Sequence, residues 1–156
     1  MNIQASELAI DLAFWGLLTS ELDRRGNGER ESGAFLLAPF DRRHVCQAAY
    51  YDDLCPGCLD EGFIRFDSAG YVGLSQICQA TGLRVVADVH THPGEWTDQS
   101  RADRAHPMMA RTGHIGLIVP HFAQRTRTNL DGVSAFAYQG EGKWVSCKEK
   151  IRLLAS

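Results

Sequence analysis

Apolar residues fall into two rhythms along this chain. Between Ala5 and Arg24 they recur every three or four positions, with Leu8, Leu12 and Trp15 on one row and Ile10, Phe14 and Leu17 on another. That spacing predicts a helix over 5–24. A double stripe is too wide for a surface helix, so much of it should be buried. Gly26-Asn27-Gly28 ends it. Elsewhere the runs are short and rich in Val, Ile and Leu, as in buried strands. Gly33–Ala38 and Arg43–Tyr51 read as a strand pair turned by Pro39-Phe40-Asp41-Arg42. Phe63–Phe66 reads as a short alternating strand. Leu83–Val89 and His114–Val119 read as buried strands, the second closed by Pro120. Tyr71–Ala80 has helical spacing and Gly82 as terminator. Another helix is predicted from about Arg101 to Ala110, capped by Ser100. Pro107 lies inside it and should bend or restart it. Ala123–Gly132 is polar without periodicity and is expected to be a mobile loop. Val133–Tyr138 and Lys143–Cys147 read as a hairpin, and Ile151–Leu154 closes the chain. The sum is an α/β fold, a mixed, curved sheet flanked by helices.

Composition narrows the function classes. A length of 156 residues suits one domain, 1–156, with a real core. The net charge of −3 argues against a nucleic-acid surface. No apolar run approaches the ~18 residues of a membrane span. The start, MNIQASELAID, carries acids and no basic segment, so no signal peptide is expected. Five cysteines is an odd count in a mid-sized chain, so no disulfide scaffold is expected and a cytoplasmic location is the default.

Chemistry concentrates in Val85–Asp103. His90 and His92 stand where the strand leaves the core, just before Pro93-Gly94. Residues two apart on extended backbone point the same way, so both imidazoles face one place. Asp103 sits in the first turn of the following helix and can face back to them. Two His and one Asp, with a fourth position left to water, make a catalytic zinc set. An H-x-H pair alone is common, and Ser-x-x-Asp alone is an ordinary helix start. The joint pattern is more specific than either.

That pattern resembles the JAMM motif of the JAB/MPN metalloproteases, H-x-H-P-x6-S-x-x-D. Here it reads His90-Thr91-His92-Pro93, six residues, then Ser100-Arg101-Ala102-Asp103. The family also has an upstream Glu ahead of its first strand. Glu31-Ser32-Gly33-Ala34-Phe35-Leu36-Leu37-Ala38 is similar in type and order, with Ala34 and Ala38 where glycines are frequent. Glu29 is a rival two residues earlier but lies too far from Phe35-Leu36. Without the downstream motif, Glu31 would read as a solvated strand-end residue. The resemblance implies a JAB/MPN-like, cytidine-deaminase-like architecture and a compact bacterial-type, deubiquitinase-like enzyme.

It also implies roles. Zinc on His90, His92 and Asp103 would lower the pKa of a bound water from about 16 towards 7. Glu31 is the expected general base, and Ser100 the expected donor to the oxyanion. The reaction is then amide hydrolysis without a covalent acyl-enzyme. Active relatives cut isopeptide or peptide bonds after the Gly-Gly tail of ubiquitin-like proteins. Compact bacterial members accompany ubiquitin-like conjugation systems, some of them antiviral. The expected partners are a ubiquitin-like modifier or its conjugates, and the activating or conjugating enzymes of the same system. An inactive scaffold of the same fold is one alternative, and processing of a sulfur-carrier protein is another. A metal-dependent hydrolase barrel also uses H-x-H, but barrels run to about 200 residues or more. Only 64 residues (156 − 92) follow His92.

Three features stay open at this level. Cys55-Pro56-Gly57-Cys58 is best read as a tight turn with two unremarkable cysteines, ahead of a structural zinc pair or a redox pair. In the resembled family an insertion near this place contacts the substrate tail, which makes 52–62 a candidate substrate loop. Trp96 either lines a substrate channel or packs to shape its loop. His106 is expected on the surface, not on the metal.

Overall fold

The computed structural model describes residues 6–155. The strands are β1 (Leu8–Asp11), β2 (Gly33–Ala38), β3 (Gln47–Tyr50), β4 (Arg84–Thr91), β5 (Ile115–Val119), β6 (Ser134–Gly140), β7 (Lys143–Ser146) and β8 (Ile151–Leu154). Strand order in the main sheet is β3-β2-β4-β5-β6-β7, and β1 and β8 form a separate parallel pair. The helices are α1 (Leu12–Gly26), α2 (Tyr51–Leu54), α3 (Ser68–Thr81) and α4 (Arg101–Ala105). Only β4 and β5 run parallel within the main sheet, so it is mixed, as expected.

The sheet has a helix on each face. β2 is buried at all six positions, which explains its unbroken apolar run. Ala34, Leu36 and Ala38 face the core under α1 with Trp15, Leu18 and Leu22. Phe35 and Leu37 face the opposite cluster with Leu74 of α3 and Tyr51.

Several predicted boundaries move, each for a tertiary reason. The first helix does not start at Ala5, which lies outside the described residues. Leu8–Asp11 is strand, because it pairs with Ile151–Leu154 some 140 positions away. Leu8 and Ile10 are fully buried there, and Leu17, expected in the second stripe, is 73% exposed. The predicted strand Arg43–Tyr51 splits. Arg43–Val45 leaves the main sheet to bond Ala9 of β1, and only Gln47–Tyr50 pairs with β2. Phe63–Phe66 is irregular, with no strand partner. α4 stops at Ala105 instead of reaching Ala110, ahead of Pro107. Ala123–Gly132 is tied down: Ala123 and Thr126 are buried, and the Trp15 indole N–H donates to the carbonyls of Thr126 and Asn129 at 2.8 and 3.0 Å.

Candidate functional site

β4 supplies both faces at once. Ala87 and Val89 enter the α1-side core, while Asp88 and His90 line a cleft of about 630 Å³ on the α3 side. Beyond the strand, the His92 amide donates to Val119 O at 2.9 Å, which pins this residue to the end of β5. The next turn, His121–Ala123, holds three successive non-glycine residues at φ 53°, 52° and 63°. Left-handed backbone costs about 1–2 kcal/mol per such residue. The turn persists because its amides bind the histidine segment: His121 N–H donates to Gly94 O and Phe122 N–H to His92 O.

His90, His92 and Asp103 converge. Nε2 of His90 lies 3.2 Å from Nε2 of His92, and Oδ2 of Asp103 lies 3.4 and 3.3 Å from the two. A tetrahedral zinc with bonds of about 2.0–2.1 Å places its ligand atoms about 3.3–3.4 Å apart, so these separations fit that geometry. The tautomer fits too. His92 Nδ1 faces the Trp96 carbonyl at 3.0 Å, so it carries the proton and Nε2 presents a lone pair to the site. The three residues could therefore hold a metal ion. Asp103 is fixed by a capping box: its amide donates to Ser100 Oγ, and its Oδ2 accepts from the Ser100 amide at 2.9 Å. Ser100 Oγ thus accepts from the backbone and keeps its own proton free to donate, and Ser100 lines the cleft.

Charges in the site are coupled. The Asp103 carboxyl is held far below the usual range: burial opposes this, and the hydrogen bonds and charge of His90 and His92 outweigh it. For His90, burial disfavours the cation, yet Asp103 beside it holds the imidazole pKa above its ordinary value.

Glu31 reaches the same cleft through β2. Gly33 pairs with His90 across the sheet, and Ser32 is locked to Thr91 by Ser32 N–H to Thr91 Oγ1 and Thr91 N–H to Ser32 O, both 3.0 Å. Only glycine fits at 33, because a Cβ would lie 2.4 Å from the Tyr51 ring and 2.6 Å from Val89 O. Glu31 therefore enters beside His90, with Ser100 and Asp103 lining the same space. Burial pushes its carboxyl pKa up, against the pull of the two histidines. Glu29 is exposed and stands outside the cleft.

The remaining expected residues sit elsewhere. Trp96 stacks on His92, with centroids 5.4 Å apart and planes 12° apart, but does not line the cleft. Cys55 and Cys58 are buried against Phe35 and Leu74 and also stand outside the cleft. Burial pushes the Cys58 thiol up to about 12, which leaves it inert as a thiolate. The cleft wall comes instead from the residues just after that turn, Phe63–Phe66. His106 also lines the cleft. Among the described residues, His90, His92 and Asp103 form the single His/Cys/Asp/Glu group that could hold a metal.

Sequence reasoning missed the cleft floor. Asp88 accepts from the Tyr51 hydroxyl at 3.1 Å and meets His114 Nε2 at 3.2 Å, with all three residues buried. One local signal was available: an acid inside the run VVADV must be buried, so it needs partners. Gln99 is also buried at the cleft, and its Oε1 has no partner.

No protein-family model matches the chain. Solved structures do. The solution structure of protein DSY2949 from Desulfitobacterium hafniense aligns with TM-score 0.61 and 13% identity over 96% of this chain and 94% of that one. The solution structure of a protein from Salinibacter ruber aligns with TM-score 0.60 and 15% identity over 94% and 92%. AF2198, a JAB1/MPN domain protein from Archaeoglobus fulgidus, aligns at TM-score 0.46 and 18% identity over 97% and 99%, too loosely to carry weight. The first two establish a shared fold. No described helix is long and apolar enough to cross a membrane.

Proposed function

We propose that this chain is a zinc-dependent amide hydrolase of the JAB/MPN type, an isopeptidase cutting after the Gly-Gly tail of a ubiquitin-like protein. The observation that carries the reading is the set of ligand-atom separations, 3.2–3.4 Å among His90, His92 and Asp103. When bound there, zinc supplies Lewis acidity and an acidified water. The chain's own groups do the rest. Glu31 is not among the three ligands and lines the same space. Its raised pKa suits a group that takes the proton of the attacking water and hands it to the leaving amine. The Ser100 hydroxyl donates to the carbonyl oxygen as charge builds on it. His92 is held in one tautomer by the Trp96 carbonyl, so its ligand nitrogen needs no reorganisation.

The substrate side rests on the JAMM resemblance. It points to a ubiquitin-like modifier, to deconjugation or maturation, and to a bacterial conjugation system of the antiviral kind with its activating and conjugating enzymes. The test is incubation of zinc-loaded protein with Gly-Gly-tailed ubiquitin-like fusions. Cleavage after the second glycine, lost in Glu31→Gln, is expected. If no such fusion is cut by protein that demonstrably holds zinc, the substrate assignment fails.

A further inference from the structure

The cleft extends well past the triad, and its far part has a chemistry of its own. Asp88 follows β4's alternation and points into the cleft like His90, two residues on. Its side chain is 8% exposed. Its two oxygens meet one Tyr51 hydroxyl and one His114 nitrogen. No Lys or Arg pairs with it among the described ion pairs. A carboxylate carries about four lone-pair sites, so these partners leave acceptor capacity over. Directly across the ladder from Asp88 stands Gly116, where a Cβ would lie 3.1 Å from Asp88 Oδ1. The absent side chain leaves the floor open beside the carboxylate.

Two further observations point to the same kind of occupant. Gln99 is nine-tenths buried and lines this cleft, and its amide oxygen has no hydrogen-bond partner. A buried acceptor without a protein donor has bonding capacity for a water or for the N–H of a ligand. The walls are aromatic: Tyr51, Phe66 and Tyr71 line the cleft, with ring centroids 5.4 Å (Tyr51–Phe66) and 4.8 Å (Phe66–Tyr71) apart. Aromatic rings lining a cleft that also holds a carboxylate suit an organic cation. The one cationic side chain of fixed charge on the cleft, Arg65, is 71% exposed and paired with Glu61.

We infer that the cleft floor is a subsite for a cationic N–H donor, a guanidinium or primary ammonium group, with Asp88 as its anchor and Gln99 as a second acceptor. On a substrate, this group belongs to a side chain near the bond to be cut, which makes Asp88 specificity-determining and not catalytic. The subsite is independent of turnover, so its test stands apart from the hydrolysis assay.

The probes are N-butylguanidinium and its neutral near-isostere N-butylurea, titrated into the full zinc-supplied chain by calorimetry and followed by amide shifts. A guanidinium stays protonated and does not ligate zinc. A hydrogen bond to a charged group outweighs a neutral one enough to favour the guanidinium by about tenfold. That preference should collapse in Asp88→Asn with zinc content unchanged, and shifts should centre on Asp88, Gly116 and Gln99. If Asp88→Asn does not fold, Gly116→Ala takes its place: it keeps the charge, crowds Oδ1 and should weaken guanidinium binding severalfold. Equal affinity for the two probes, no binding of either, or a preference that survives the folded variant would overturn the inference. So would its loss in Glu31→Gln alone, which would put the cation at the mouth.

Discussion

The two faces of the sheet share strands and differ in almost everything else. On the α1 face, Trp15, Leu18 and Leu22 press on Ala34, Leu36 and Val89, and all are buried apolar groups. On the α3 face the next residues along the same strand are Asp88 and His90, above a cleft of about 630 Å³. Past the register shift at Val85-Val86, one pleat thus divides the labour: Ala87 and Val89 hold the fold, and Asp88 and His90 hold polar chemistry. The strand need not be weakened to carry a site. Its inward residues anchor it on one side while its outward residues work on the other.

Substitutions should separate the faces. Glu31→Gln keeps shape and removes the charge on the cleft side. It should lower the hydrolysis rate by about 10²–10⁴-fold, as for loss of a general base, with zinc content and melting temperature unchanged. Steady-state kinetics and a thermal scan check both halves. Trp15→Ala acts on the opposite face. It removes a fully buried ring and leaves the carbonyls of Thr126 and Asn129 without their donor. Denaturant unfolding should show a loss of about 3–5 kcal/mol, while zinc affinity of the folded fraction stays at the parent value. A fall in zinc affinity matching the stability loss would break the division.

Gly33→Ala should couple the faces. The new methyl meets the immovable Val89 carbonyl as well as the Tyr51 ring, so β2 must shift against β4 beside His90. A loss of about 1–3 kcal/mol is expected from overpacking, together with weaker zinc binding. Stability lost with zinc affinity intact would show that the Gly33–His90 pairing does not position the site.

The smallest effect is on pH. Ligation needs a neutral imidazole, and Asp103 holds the His90 proton on above the ordinary value. Zinc affinity should therefore fall as pH drops, with a midpoint above about 6.5. In the metal-free protein the sign of stability is opposite. The raised His90 pKa stabilises the fold below the unfolded histidine's value, and that contribution fades as pH rises through the folded one. Zinc titration against a competing chelator across neutral pH reads the first effect, and a flat profile would contradict it.

The parts legible in the sequence were those written locally. The apolar run of β4, the alternation that aims His90 and His92 together, and the cap that fixes Asp103 all lie within 20 residues, Arg84–Asp103. β1 was hidden because four strand residues flow into a helix with compatible apolar spacing, and its partner β8 lies at the other end of the chain. The polar tract after Ala123 gave no hint that it roofs Trp15, since its contacts use backbone carbonyls. Tyr51, Asp88 and Gln99 at the cleft, and His114 behind Asp88, come from four separate stretches of the chain. No spacing rule joins them. Only the buried acid in VVADV marked the place, and it named no partner.

The proposed hydrolysis requires the triad to be a metal centre. Elemental analysis of the purified protein beside Asp103→Ala tests it most directly. About one zinc per chain in the parent and clearly less in the variant is the predicted result. A parent that takes up no zinc when supplied, or a variant that holds as much as the parent, would contradict it.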